Sequence, residues 1–167
     1  PTWSNLTLRS VLQKYGQLCQ KMAWIDLHTG LGPSGVGERI FACADDAAAY
    51  QRAKAWWGQG ITSIYDGSSS SPMLTGLMWM AAYQECRQAQ YTGIALEYGT
   101  QPPDKVLYAL RGDHWLQGHP EAPEALKKQI KQDLMDAFYV DTDEWRTQIV
   151  DQAMEAMHQA VTGLDTP

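Results

Sequence analysis

The sequence predicts an α/β fold with a mainly parallel sheet and flanking helices, and two observations carry that prediction. Strand-like runs at 23–28, 61–65 and 92–97 are separated by segments of helical periodicity. The 167 residues are 44% hydrophobic, which supplies one sizeable core and predicts a single domain over residues 1–167. Because these strands are few for such a sheet, we expect a partial domain whose remaining strands lie outside this chain.

The N-terminal segment is predicted to form a helix and then a strand. Apolar side chains recur at spacings of three and four residues across 6–22, and Ser4 or Asn5 can cap that helix. Alternating faces predict the strand at 23–28. The four glycines and the proline of residues 29–37 then predict a flexible loop, the wall of a cleft.

The next segment alternates short strands with a helix and a loop. A second strand is predicted at 38–44, and Asp45 is placed to cap a helix at 46–57. Two isoleucines and a threonine predict a strand at 61–65. Four serines within residues 67–72 predict a loop.

The C-terminal half is predicted to be mostly helical. A helix at 73–88 is apolar on nearly all sides in its first half, which predicts burial, and a strand follows at 92–97. Asp141 or Thr142 caps the last helix, and only Asp141 would place Glu144 in a capping box. Three helices complete the chain, at 102–117, 123–139 and from the cap to about Val161, with Gly163 after the last.

Charge and cysteine content restrict the function classes and the compartment. The net charge of −6, with no basic run, argues against nucleic acid and an anionic membrane as partners. The longest mostly apolar stretch, 73–83, is too short to span a bilayer. Cys19, Cys43 and Cys86 are odd in number and widely spaced, which predicts free thiols and a cytoplasmic protein.

Two predicted strands end in an ionisable residue followed by a glycine-containing turn. His28 ends one strand and Glu97 ends the other. If the strands are parallel, both residues lie at the sheet edge where α/β proteins bind ligands. A histidine there can be a metal ligand or a base, and a glutamate can be a general acid or base. Asp26 lies on the same face of the predicted strand as His28. Its carboxylate could orient the His28 imidazole, or it could pair with another group.

The segments Ile-Asp-Leu-His-Thr-Gly-Leu-Gly-Pro at 25–33 and Ala-Leu-Glu-Tyr-Gly-Thr at 95–100 carry a resemblance. They resemble the zinc carboxypeptidase-like metallopeptidase superfamily, the clan of carboxypeptidase A and of succinylglutamate desuccinylase and aspartoacylase, which includes uncharacterised bacterial proteins. The resemblance implies a phosphorylase/hydrolase-like fold, a zinc ligand at His28, and at Glu97 the residue that activates the metal-bound water. This chain then corresponds to the C-terminal half of the catalytic domain.

The chain departs from that superfamily at the other zinc ligands, which come as a His-x-x-Glu pair before the His strand. None of its four histidines is followed by Glu three residues later. We therefore expect further zinc ligands upstream of Pro1, and an inactive, weakly zinc-binding chain in isolation, because a catalytic site needs about three protein ligands.

The expected function is zinc-dependent hydrolysis of a peptide bond, as in a carboxypeptidase. Two alternatives stay open: a deacylase or amidase of small N-acyl amino acids, and a non-catalytic binding module that kept the fold. The expected partner is accordingly a small peptide or an N-acyl amino acid. Glu38, Arg39 and Tyr98, with the loop at 68–75, are candidate substrate contacts. An uncovered sheet edge would also favour a homodimer.

Overall fold

The structure is a computed structural model that describes residues 1–166. The chain forms two compact units. The first contains residues 1–26, 38–96 and the segment from Met154 onward, and the second contains residues 27–37 and 97–153. The helices are α1 (Trp3–Tyr15), α2 (Ala47–Trp57), α3 (Met80–Glu85), α4 (Pro103–Gln117), α5 (Glu124–Phe138) and α6 (Asp143–Leu164), and the strands are β1 (Lys21–Ser34), β2 (Gly37–Phe41) and β3 (Gln90–Gly99).

The sheet has three strands in the order β1-β3-β2 and is mixed, so the prediction of a mainly parallel sheet is wrong in this respect. Gln90 N donates to Gln20 O beside the first residues of β3 and β1, which run parallel. Gly99 N donates to Val36 O while Ala42 N donates to Gly93 O, so β2 runs antiparallel to β3. The α/β class itself is confirmed.

The mixed sheet follows from the short link between β1 and β2. Only Gly35 and Val36 connect them, and a link of that length can only reverse the chain, whereas a parallel return needs a crossover of a dozen or more residues. The link bends around the last residue of β3, since Gly35 N donates to Gly99 O at 3.0 Å. A Cβ at Gly99 would lie 2.0 Å from Pro33 O, so only glycine fits there.

The loop predicted at 29–37 is wrong, because β1 continues to Ser34. Gly30 and Gly32 lie within the strand at φ values of 139° and 96°. Their backbone conformations are ones that other residues rarely adopt, and they bend the strand without ending it. Glycine content alone therefore did not separate a bent strand from a loop.

The first helix is shorter than predicted, since it ends at Tyr15 and a 3-10 turn follows at Gly16–Leu18. Its cap is Thr2, whose Oγ1 accepts from Asn5 N at 3.4 Å. Beyond the helix, Gln88 Nε2 donates to the carbonyl oxygens of Gly16 and Gln17 at 3.1 and 2.7 Å. A distant side chain thus binds the carbonyls that a longer helix would use.

The buried helix predicted at 73–88 is wrong over its first half. Within residues 73–88 only α3 is helical. Gly76 lies before it at a φ of 75°, where the chain turns. Met73 and Met78 are exposed by 59% and 50%. The strand predicted at 61–65 is likewise reduced to one parallel bridge, between Ile40 and Thr62.

Four helices agree with their predicted positions to within a few residues, namely α2, α4, α5 and α6. Asp46, not Asp45, caps α2, with its Oδ1 accepting from Ala48 N and Ala49 N at 2.6 and 3.0 Å. Thr142 Oγ1 accepts from Trp145 N at 3.2 Å at the start of α6. That contact belongs to the alternative without a capping box.

Each unit has its own apolar cluster. In the first, Leu12, Ala81 and Cys86 pack with Met22 and Trp24. In the second, Val106, Ala109 and Ala137 pack between α4 and α5 with Leu134 and Phe138. The three cysteines are free thiols, as predicted, although Cys19 is half-buried and the other two are buried. Across residues 1–166, no helix is long and apolar enough to cross a membrane.

We predict that Gly99→Ala destabilises the protein by about 1–3 kcal/mol or prevents folding, because the added methyl meets the Pro33 carbonyl. Urea unfolding of the wild type and the variant measures this change. Gly60→Ala is the matched control, since a Cβ there meets no atom within 4 Å. Equal unfolding free energies for the two variants would contradict the prediction.

Candidate active site

His28 and Glu97 both lie in the second unit, on the neighbouring parallel strands β1 and β3. His28 is inside β1 rather than at its end, because the strand continues to Ser34, and its side chain is exposed. Glu97 is half-buried near the end of β3. These two strands run parallel, which is the condition under which we expected both residues at one sheet edge, and their pairing places an imidazole and a carboxylate on adjacent strands.

The Glu97 carboxylate is bound by the backbone of β1. Leu31 N donates to Glu97 Oε1 at 3.1 Å, three residues after His28. Gly30 lies beside the same oxygen, and a Cβ there would be 2.8 Å from the Phe138 ring. The strand therefore lies close to α5, with the Leu31 N–H turned towards Glu97. A backbone donor of this kind fixes the orientation of the carboxylate.

Tyr98 is buried, with 1% of its surface exposed. Its hydroxyl donates to Ile149 O at 3.0 Å, which attaches the end of β3 to α6. Trp145 Nε1 makes a second attachment by donating to Gly99 O at 3.0 Å. The Tyr98 hydroxyl thus makes a structural hydrogen bond, and the role of Tyr98 as a substrate contact stays a prediction.

Asp26 lies in the first unit, half-buried and two residues before His28 on β1. Its negative charge contributes to the electrostatics of Tyr91. Burial is the main cause that raises the pKa of the Tyr91 hydroxyl, and the charges of Cys43, Tyr83 and Asp26 add to it. The hypothesis that Asp26 orients the His28 imidazole stays a prediction.

Glu38 belongs to the first unit and binds the serine loop. Ser70 N donates to both of its carboxylate oxygens, at 3.1 and 3.3 Å, and the Ser70 and Thr62 hydroxyls donate as well. Burial by itself would raise the pKa of Glu38, but the hydrogen bonds from Ser70, Thr62 and Ser69 outweigh it and lower the pKa below 4.5. Glu38 thus has a local structural role.

Arg39 also makes structural contacts within the first unit. Its Nη1 donates to Trp57 O at 2.5 Å, and its Nη2 lies 3.1 Å from Glu155 Oε2. These contacts join β2 to the C-terminal end of α2 and to α6. A substrate contact at Glu38 or Arg39 would have to compete with the bonds described, and both assignments stay predictions.

His28 is the described residue that the sequence predicts as a zinc ligand. His28 offers an exposed imidazole, which suits one zinc ligand. Within residues 1–166, no group of three or more His, Cys, Asp or Glu side chains is placed to hold a metal ion. The donors present therefore fit one position of a zinc site and do not form a complete one.

Sequence reasoning missed the contacts that hold the bend between β1 and β2. Gln152 on α6 donates from Nε2 to Gly35 O at 2.8 Å and accepts from Gly37 N at 2.9 Å. It also missed the Leu31 N–H that binds Glu97. The glycine spacing of residues 30–37 was the available signal, but nothing in it identifies which distant side chains bind the freed backbone groups.

Comparison with known proteins gives one match. Residues 1–152 match the model of a family described as a protein of unknown function, DUF2817. No curated protein and no solved structure matches the chain.

We predict that the free energy of unfolding falls as the pH drops below 4.5, and that Glu38 contributes to the slope. Because the pKa of Glu38 is lowered in the folded state, its stabilisation is present above pH 4.5 and is lost as the folded carboxylate takes up a proton. Glu38→Gln should give a shallower slope in urea unfolding across that range. The exposed Glu121→Gln is the control, and identical slopes for wild type and Glu38→Gln would refute the assignment.

Proposed function

The chain belongs to the DUF2817 family, a family of unknown function, and we propose that it forms part of a zinc-dependent hydrolase of the carboxypeptidase-like kind. The preferred substrate is a peptide whose C-terminal residue is removed. The family match names no activity, so the proposal rests on the second unit and on the resemblance of residues 25–33 and 95–100 to zinc carboxypeptidase-like enzymes.

The observation that carries the proposal is the orientation of Glu97 beside the strand that bears His28. Leu31 N binds Glu97 Oε1 at 3.1 Å, and Leu31 is three residues from His28 on the same strand. A half-buried carboxylate, oriented by the backbone of the strand that carries an exposed imidazole, is suited to act as the base of metal-assisted hydrolysis, with the imidazole as one ligand.

In this mechanism each residue has a separate task. His28 would hold zinc through one imidazole nitrogen, and the metal supplies Lewis acidity and lowers the pKa of a water molecule. Glu97 accepts the proton of the attacking water and donates it to the nitrogen of the leaving amine. The Leu31 N–H keeps the carboxylate in place during both transfers.

The remaining zinc ligands are proposed to be a His-x-x-Glu pair in a longer form of the protein, before Pro1. The resemblance places such a pair upstream of the His strand, and residues 1–167 contain none. With one ligand in the chain, affinity for zinc has to come mainly from the completed set.

A deacylase acting on small N-acyl amino acids is the second candidate, since the same metal chemistry cleaves its amide bond. A binding module without activity is the third, and a longer form that binds zinc but hydrolyses nothing would support it.

A cytoplasmic location is part of the proposal. The three thiols are free, and two of them are buried. Burial raises the pKa of the Cys43 thiol to about 11, which keeps it protonated and unreactive. Buried thiols of this kind suit a reducing compartment but do not require it.

We predict that the 167-residue chain binds zinc weakly, and that a longer form with the upstream pair binds it tightly. Isothermal titration of both forms with zinc measures the difference, and His28→Ala in the longer form should weaken binding about 10-fold or more. His158→Ala is the matched control, on a histidine outside the proposed site. Tight stoichiometric binding to the 167-residue chain would contradict the ligand assignment.

We predict that Glu97→Gln in the longer, zinc-loaded form lowers kcat about 100-fold to 10,000-fold, because the amide cannot accept the proton. A panel of peptides and N-acyl amino acids, assayed for release of the free amino acid, measures activity and separates the first two candidates. Glu144→Gln, on an exposed glutamate of α6, should leave kcat unchanged. Full activity of Glu97→Gln would remove Glu97 from the proposed role.

A further inference from the structure

A cavity of about 480 Å³ lies in the first unit, and neither His28 nor Glu97 lines it. Its volume is in the range of small-molecule sites. The side chains that surround it come from α2, the start of β3 and the C-terminal part of α6, and they include Arg52, Trp56, Gln90, His158, Gln159 and Thr162.

The charge of this lining is opposite to that of the chain. The protein carries 19 acidic residues and a net charge of −6, yet no aspartate or glutamate within residues 1–166 lines the cavity, whereas an arginine and a histidine do. Since acidic side chains outnumber basic ones elsewhere, this wall is suited to an anion rather than a cation.

Arg52 is half-buried in the wall and binds only neutral oxygens. Its Nε donates to Thr92 Oγ1 and its Nη2 donates to Tyr91 O, both at 3.2 Å. Arg9 and Arg39 form ion pairs with carboxylates, whereas no carboxylate of residues 1–166 lies within ion-pair distance of Arg52, whose charge attracts the more distant Asp46. Its orientation is therefore fixed while further N–H donors remain for a ligand.

Trp56 supplies a flat apolar surface in the same wall. One region of its indole lies against Gly163, where a Cβ would be 2.3 Å from the ring, so the ring position is fixed by α6. Gln159 adds a buried amide oxygen with no hydrogen-bond partner. A rigid aromatic face next to an oriented guanidinium is suited to a planar ring with an acid group.

Two further groups set the local charge. Lys21 Nζ donates to the carbonyl oxygens of Leu164 and Thr166, which offsets the negative end of α6 beside the cavity. Glu155 accepts from Gln159 Nε2 at 3.3 Å behind the wall, but its other oxygen is paired with Arg39 at 3.1 Å. The nearby carboxylate is thus partly neutralised.

From these observations we propose that the cavity between α2 and α6 is a binding site for a small planar organic acid, with its carboxylate or phosphate on Arg52 and its ring beside Trp56. His158 adds a second polar contact at the rim. Neither His28 nor Glu97 belongs to this site, so a test of the site does not depend on the proposed hydrolase.

Isothermal titration of the 167-residue chain tests the proposal with two acids and their uncharged counterparts. Nicotinate and adenosine 5′-monophosphate represent a carboxylate and a phosphate, and nicotinamide and adenosine lack the charge. At least one acid should bind with a Kd below about 1 mM, and its uncharged counterpart should bind about 10-fold more weakly or worse. Failure of both acids to bind, or equal binding of acid and neutral counterpart, overturns the proposal.

Arg52→Gln should weaken binding of the acid about 10-fold or more, whereas Arg111→Gln, on an exposed arginine of α4, should not change it. Because Arg52 also holds Thr92 and Tyr91, thermal unfolding has to show that the variant is folded. A second measurement does not depend on that variant: in two-dimensional NMR, the acid should shift the indole N–H of Trp56 and the amide of Gly163. Equal affinities of the two variants, or shifts confined to other regions, contradict the site.

Discussion

The close approach of Gly99 to the last residues of β1, just before the link to β2, is the constraint on which the sheet depends. With a Cβ position only 2.0 Å from Pro33 O, residue 99 has to be glycine for the chain to bend around the end of β3. Its carbonyl accepts from Gly35 N and from Trp145 Nε1, each at 3.0 Å. One residue thus joins the link, the central strand and α6, and this arrangement makes the sheet mixed.

The same bend positions the candidate catalytic carboxylate. Glu97 lies two residues before Gly99, and β1 passes beside it closely enough for Leu31 N to reach Oε1 at 3.1 Å. Gly30 allows this passage because a side chain there would meet the Phe138 ring. Gly30 and Gly35 are therefore needed where the backbone lies near other side chains, those of Phe138 and Gln148. The segment that holds Gly30 is a strand and not a flexible cleft wall.

Charged residues in the first unit show how context changes the meaning of a sequence signal. Glu38 and Arg39 follow the glycine-rich segment, as substrate contacts would, but Glu38 holds the serine loop and Arg39 pairs with Glu155. No sequence pattern indicates a role for Arg52, since a single arginine in an amphipathic helix is ordinary. It matters because α6 and β3 complete a cavity around it, and no aspartate or glutamate of residues 1–166 lines that cavity.

The sequence by itself determined the α/β class and the positions of α2, α4, α5 and α6, because periodicity and capping are local signals. The tertiary structure decided the direction of β2, the length of β1, the loss of helix before Met80 and the partners of Glu97, Glu38 and Arg39. Each of these depends on backbone groups or side chains far apart in the chain, such as Gly99 with Pro33 or Gln88 with Gly16, and no local pattern encodes which distant group will meet them.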